Sequence, residues 1–528
     1  MKFLNKVLLP LLILLITLSQ IISSPLNDFS FTKSQPKEVE DLCLRRPYPK
    51  SSEPWYWAPV FRAKMKKVGE KYLFKSRCFD KNIVAFKEMS QDKIILTLDN
   101  SEKSETWCSE LFIFHTSNHN YLQFVAFEGH HEIVLKRITK DDKDEISMNG
   151  IKLYGFCSGL VNTVKSFMTT LKAFYGGLGL DPKAKNPKFR PNIPKDMEKI
   201  NLRILELYNH YTPERRKNNT IVNFDKKTVH SGDFILISRF DGLDPLIMLG
   251  AGGHSGHSAV CSWIGDELYV LESQSGWYWP KSGIQRNKWE DWLQWAHNAD
   301  FNAILLPIRK EYRDKFNNTK ALEWFENEVE GLNYGYHNFL ASWIDTLDKN
   351  FPVISTHETM EFLFSLVSKV YSPASDLMVT EFINRKIGTQ DLNLTLQQAI
   401  AEAARKGKSF EEIIAMPEKE GIEYSDGLNY VCCCFVVAFW KHGGLFGDLD
   451  FSPNEFGPRD VYMLDIFDKN VTRPQECIDD NPDLPYCQIM GKFIITLEDG
   501  LYSSIKPYAH MNEKCSSQGP DFIREPGC

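Results

Sequence analysis

Gly250-Ala-Gly-Gly-His-Ser-Gly-His-Ser-Ala-Val260 lies between two apolar runs, Asp233-Phe-Ile-Leu-Ile237 and Leu268-Tyr-Val-Leu-Glu272. Both runs are short and rich in aliphatic and β-branched residues, the pattern of buried strands. The glycine-rich turn delivers His257 to the opening of a hairpin. Its first arm runs through Ala259–Trp263, turns at Gly265-Asp266 and returns through Leu268–Leu271. A histidine in that place is an ordinary strand-edge residue unless the rest of the chain supplies it with partners.

The hairpin offers a carboxylate. With a turn centred on residues 264–266, Glu272 falls opposite residues 257–259. Side chains directly or diagonally opposite on one face of a sheet are within reach of each other. A one-residue slip would send them to opposite faces. A carboxylate beside His257 holds the imidazole in the tautomer that accepts a proton, as in a catalytic triad.

A nucleophile is offered by Tyr430-Val-Cys-Cys-Cys-Phe-Val-Val-Ala-Phe-Trp-Lys-His-Gly-Gly444. The run is apolar on all sides, which predicts a buried central helix, and Gly443-Gly444 stops it. The positive end of a helix and its free N–H groups stabilise a thiolate, and an adjacent imidazolium does so further. The same N–H groups can stabilise an oxyanion. Successive helical residues are turned by about 100°, so one of the three cysteines faces a given histidine. Cys432 stands nearest the helix start; Cys433 and Cys434 turn into the packing or pair with another thiol.

Five pieces now stand in order: Gly-Asp233 with its strand, Gly256-His257 opening a strand, Tyr269-Val-Leu-Glu272, Gly331-Leu-Asn-Tyr-Gly335, and Tyr430-Val-Cys432-Cys-Cys-Phe-Val436. Together they resemble the permuted, YiiX-like branch of the NlpC/P60 papain-like cysteine hydrolases, in which the histidine strand precedes the nucleophile helix. The resemblance covers about 230–340 and 425–447, under a third of the chain. It implies an α+β fold with a circularly permuted papain-like catalytic domain, Cys432 as nucleophile, His257 as base and Glu272 as orienter. It also implies a peptide or glycopeptide substrate, such as a peptidoglycan stem or a glutamyl-linked peptide, and no cofactor. Cys433 and Cys434 depart from the Ser and the acidic or glycine residue that usually follow the family cysteine. The insert of about 85 residues before Cys432 is also a departure. Tyr334 of the fourth piece is assigned to substrate binding. Trp277-Tyr-Trp279, just after the returning strand, is the candidate platform for a sugar or apolar group. Trp289, Trp292 and Trp295, at spacing three on an amphipathic helix, read as core packing.

The chain of 528 residues is too long for one core. Its net charge of -7 argues against nucleic acid as a partner. Lys2 and Lys6 precede the apolar run Val7–Leu18, and small residues follow, the pattern of a signal peptide over 1–24. That run is short of the ~20 residues that span a bilayer, so no stable membrane span is expected. Asn218, Asn317, Asn393 and Asn470 each open a glycosylation sequon. Twelve cysteines suit an oxidising compartment. Cys43, Cys78, Cys108 and Cys157 form one group and Cys477, Cys487, Cys515 and Cys528 another, each able to form two disulfides. A secreted or endolysosomal lumenal glycoprotein is the expectation.

Six β-rich runs between Asn82 and Phe156 predict an all-β domain over 25–160, followed by a helical connector over 161–225. The catalytic domain is expected over 226–345 and 425–528, the latter with a disulfide-rich tail and a strand at Lys492–Thr496. A helical insert over 346–424 interrupts it. Other motifs fall short. Gly253-His-Ser255-Gly-His257 misses the nucleophile elbow at its last residue, and Gly250–Gly256 fails the dinucleotide spacing. Gly129-His-His-Glu132 sits where a hairpin turn is expected and has no further ligand at a recognisable spacing, and His254 with His257 stands on a strand-edge loop that supports zinc poorly, so no metal site is assigned. His357-Glu358 is half a zincin motif, with Glu361 where the second histidine would stand, and reads as a solvated helix start.

Two alternatives accompany the amide hydrolase. One keeps the triad and changes the acceptor, giving a lipid-acyl hydrolase or acyltransferase. The other is a non-catalytic glycosylated binding protein on the same fold, which a disulfide at Cys432 would favour.

Overall fold

The computed structural model describes residues 36–38, 43, 52–174, 192–275, 282–339, 357–370, 372–414, 416–418, 420–497 and 502–511. The signal-peptide segment and the platform Trp277-Tyr-Trp279 lie outside them, as do Cys515 and Cys528. The chain is α+β and divides into two compact units, Met1–Thr170 with Val353–Ile414, and Leu171–Pro352 with Ala415–Cys528. Among the described residues no helix is long and apolar enough to cross a membrane.

In the first unit, all six expected strand runs form strands, with ends moved by a few residues. Lys71–Phe74, Phe79–Met89, Lys93–Lys103 and Gly129–Lys136 are consecutive in one sheet, and Val60–Met65, Ile151–Gly155, Glu110–His115 and Asn120–Val125 form another. Phe86, Leu96, Leu98, Phe112, Phe114 and Leu153 are among the residues that close one core between the two sheets. Gly129-His-His-Glu132 opens a strand and is not a turn, and His130 is bonded to Asp99 at 2.5 Å.

The unit is not all-β. It contains the helix Lys140–Asn149 and takes in most of the helical insert. Helix His357–Val370 is joined to the sheet by Lys64–Glu358 at 3.0 Å and by Lys152–Glu361 at 2.5 Å. The Phe362 ring packs against His115 and Tyr154. Glu361 is therefore a buried partner of Lys152, and the expectation of a solvated helix start is corrected: a buried ammonium needs a carboxylate beside it.

The second unit is built on a six-stranded antiparallel sheet. Its strands are β1 Phe234–Ser238, β2 His257–Ile264, β3 Glu267–Gln274, β4 Gly283–Lys288, β5 Asn302–Leu306 and β6 Cys487–Met490, in the order β4-β3-β2-β1-β5-β6. Helix α1, Leu243–Ala251, joins β1 to the glycine-rich turn. Helix α2, Trp289–Asn298, buries Trp289, Trp292 and Ala296 in a core with Ile235, Ile237, Ala259, Val270 and Leu305. Helix α3, Asn318–Trp324, continues into one π turn. Helix α4, Cys432–His442, packs on β2 and β3 with every residue from Cys432 to Trp440 buried, as its uniformly apolar sequence requires. The Trp440 indole donates to Gly232 O at 2.9 Å. Helix α5, Pro458–Met463, follows.

The expected strand at Lys492–Thr496 is corrected: the sheet takes Cys487–Met490. Residues 493 and 495 instead direct their N–H groups to the side chains of Asn302 and Gln488. Cys43–Cys157, Cys78–Cys108 and Cys477–Cys487 are disulfide-bonded.

Candidate active site

The hairpin β2–β3 turns on two residues, with Ile264 paired to Glu267 and Gly265 at φ 60°. The ladder runs back to Val260 opposite Leu271. Continuing that register puts Glu272 opposite Ala259 and diagonal to His257, on one face. The parity on which the sequence argument turned is satisfied: His257 Nε2 stands 2.8 Å from Glu272 Oε2. Both side chains are buried, His257 at 2 % exposure and Glu272 at 0 %. Gly256 is obligatory at the entry, because a Cβ there would lie 2.5–2.6 Å from Asp244 of α1.

Cys432 is the first residue of α4, and four contacts fix how the chain enters that helix. Tyr334 bridges Tyr430, and Gly335 N donates to Tyr430 O at 3.1 Å. A Cβ on Gly335 would stand 2.5 Å from the Tyr430 carbonyl carbon, so the approach needs glycine. Ser273, next to Glu272 on β3, donates its hydroxyl to the same Tyr430 O at 2.7 Å. Successive strand residues face opposite sides. Glu272 can thus serve the histidine while Ser273 holds the segment that precedes the cysteine. Asn338 also donates to Asn429 O.

Valine occupies the N-cap of α4 and no side chain caps the helix. Valine is a poor cap, and the first-turn N–H groups remain as donors for an anion at Cys432.

His257 interacts with the Cys432 sulfur as well as with Glu272. Burial alone would lower the imidazole, but Cys432 and Glu272 together raise it to about 9. A hydrogen bond to Cys433 and burial hold the Cys432 thiol well above the usual range, although His257 pulls it the other way. Cys433 and Cys434 donate to Phe456 O at 2.8 and 3.4 Å. Of the three thiols, Cys432 is the one that the imidazole faces, and it is not in a disulfide. Cys261, on β2, is buried, and desolvation with Asp233 nearby holds its thiol well above the usual range.

A cavity of about 20 Å³ reaches Cys432 and is lined by Ile247, Ala251, Tyr334, Phe339, Val431, Cys433 and Pro458. It holds roughly one water, and no charged side chain lines it. The Tyr334 assignment thus falls on a cavity wall. Its phenol is pushed well up by burial, so its hydroxyl keeps its proton. Asn218, Asn317, Asn393 and Asn470 are all exposed. Among the described residues no group of His, Cys, Asp and Glu has the arrangement of a metal site. His254 stacks on Tyr211 at 3.9 Å, and its Nδ1 is 2.6 Å from Thr496 O.

Sequence reasoning passed over two residues at this site. Ser273 follows Glu272 directly but carries no motif. Trp292 belongs to the spacing-three tryptophans that read as core, and its indole Nε1 lies 3.1 Å from Glu272 Oε1. Comparison with known protein families, with curated proteins and with solved structures returns no match to this chain.

Proposed function

We propose that the protein is a cysteine hydrolase of permuted papain-like type, acting in a secretory or lysosomal lumen on an amide bond of a peptidoglycan-type or glutamyl-linked peptide. The observation that carries this reading is the convergence of Cys432, His257 and Glu272. The thiol comes from the start of an uncapped buried helix, and the imidazole and carboxylate from a hairpin about 175 residues earlier in the chain. In the proposed reaction Cys432 Sγ attacks the carbonyl carbon. His257 takes the thiol proton and passes it to the leaving amine. The N–H groups at the start of α4 stabilise the oxyanion. Water, deprotonated by His257, then releases the acid and restores the thiol. Glu272 keeps Nε2 of the ring engaged, which leaves Nδ1 for the sulfur. Cys432 is 2 % exposed, so reaction requires an opening that brings its sulfur to the substrate.

A second reading, hydrolysis or transfer of a lipid acyl group by the same three residues, is favoured by the apolar lining of the cavity beside Cys432. Incubation of the purified protein with muropeptides and, separately, with phospholipid vesicles decides between them by which releases product. Cys432→Ala is expected to lower that turnover by on the order of 10⁴-fold or more. Undiminished turnover in Cys432→Ala would refute both readings.

A further inference from the structure

We infer that Trp292 is a positioning residue of this site, holding Glu272 in the orientation that engages His257. The inference rests on the proposed thiol chemistry.

Glu272 is at 0 % exposure, directly opposite the buried Gln285 of β4, and each oxygen of a buried carboxyl needs a donor. Oε2 has His257 Nε2 at 2.8 Å, and Oε1 has Trp292 Nε1 at 3.1 Å. An indole N–H donates and cannot accept. Trp292 therefore anchors one oxygen without competing for the proton that His257 must carry, which a serine, water or second histidine in its place could do.

The ring is itself fixed. Trp292 is fully buried on α2, stacks with Trp289 at 6.5 Å, and meets Phe301 edge-on at 6.5 Å. Phe301 in turn meets the His257 ring at 6.4 Å. Indole, phenyl and imidazole are thus packed in series, and the first and last of them hold the carboxylate. Without the indole N–H, Oε1 would lose its donor at 3.1 Å, and the carboxylate would be free to turn away from His257. The imidazole would then lose the charge that steadies it as imidazolium, and the thiolate at Cys432 would lose its counter-charge.

The test is the pH profile of iodoacetamide alkylation at Cys432, read by mass mapping of the full chain from pH 5 to 11. It compares the wild type, Trp292→Phe, and a protein carrying β-(3-benzothienyl)alanine at position 292. The last keeps the bicyclic ring and deletes only the N–H, so it decides the matter if Trp292→Phe fails to fold. The expected result is a midpoint about one pH unit higher, which lowers the rate below the midpoint by about tenfold, with the limiting rate at high pH unchanged. A loss of packing alone would change the limiting rate or the melting temperature and leave the midpoint in place. Profiles that superimpose on the wild type would overturn the role of Trp292 while leaving the thiol chemistry standing. A wild type in which Cys432 is not preferentially alkylated would remove the thiol reading and this inference together.

Discussion

Glu145→Gln is expected to remove a loss of stability that the first unit suffers as pH rises. Glu145 lies on the helix Lys140–Asn149 at 0 % exposure, and its carboxyl accepts from Ser117 N at 2.6 Å and Ser117 Oγ at 2.5 Å. The charges around it are Lys152 from the strand Ile151–Gly155, Glu361 and Lys369 from the helix His357–Val370, and Asp142 on its own helix. Arg405 of the neighbouring helix Leu396–Arg405 is committed to Asp141 and Asp144. Lys152 is bonded to Glu361, so Glu145 has neutral donors and a nearby carboxylate where an ion would want a cation. Burial first, and then repulsion from Glu361, raise its carboxyl from 4.5 to about 7.

Between those two values the folded chain keeps a proton that the unfolded chain releases, so stability falls as pH rises from 4.5 to 7. The difference corresponds to ~3 kcal/mol. Glutamine retains the acceptor for Ser117 N–H and removes the ionisation. Urea denaturation at pH 5 and pH 8 is the assay. The variant is expected to match the wild type near pH 5 and to exceed it by ~3 kcal/mol at pH 8, a gap in Tm of roughly 6–12 °C for a domain of this size. A wild-type advantage that is constant across this pH range would refute the reasoning.

Glu272→Gln keeps the shape of the side chain and removes the charge that helps raise His257 to about 9. Turnover is expected to fall by on the order of 10³–10⁴-fold, and the His257 titration, followed by NMR, to move to lower pH. Val431→Thr supplies a capping hydroxyl where the start of α4 has none. It is expected to add about 1 kcal/mol of stability in denaturant titration and to slow turnover by engaging an N–H at the oxyanion position. Gly335→Ala puts a Cβ against the Tyr430 backbone and is expected to cost roughly 1–3 kcal/mol. Its loss of Cys432 alkylation should exceed its loss of stability, since the entry to α4 shifts away from His257.

The hairpin was readable because Gly265-Asp266 admits a two-residue turn, and the turn sets the parity of every later residue on β3. Which of the three cysteines faces His257 was readable because the helix start and the 100° step are local properties. What escaped was non-local. Lys152 and Glu361 are 209 residues apart, and nothing near either signals that the insert helix covers the strands. Trp292 escaped for a different reason: its ring is core and its N–H is part of the site, and spacing reports only the ring. At residues 492–496 the alternation of a strand was present, but side-chain acceptors from Asn302 and Gln488 took the N–H groups that a ladder would have used.

The most direct measurement is the rate of iodoacetamide labelling at each of Cys261, Cys432, Cys433 and Cys434 in the intact protein at pH 6. Cys432 is expected to be labelled far faster than the other three, and His257→Ala to abolish that advantage. Equal labelling of the four thiols, or Cys432 found in a disulfide, would contradict the assignment of Cys432 as the nucleophile.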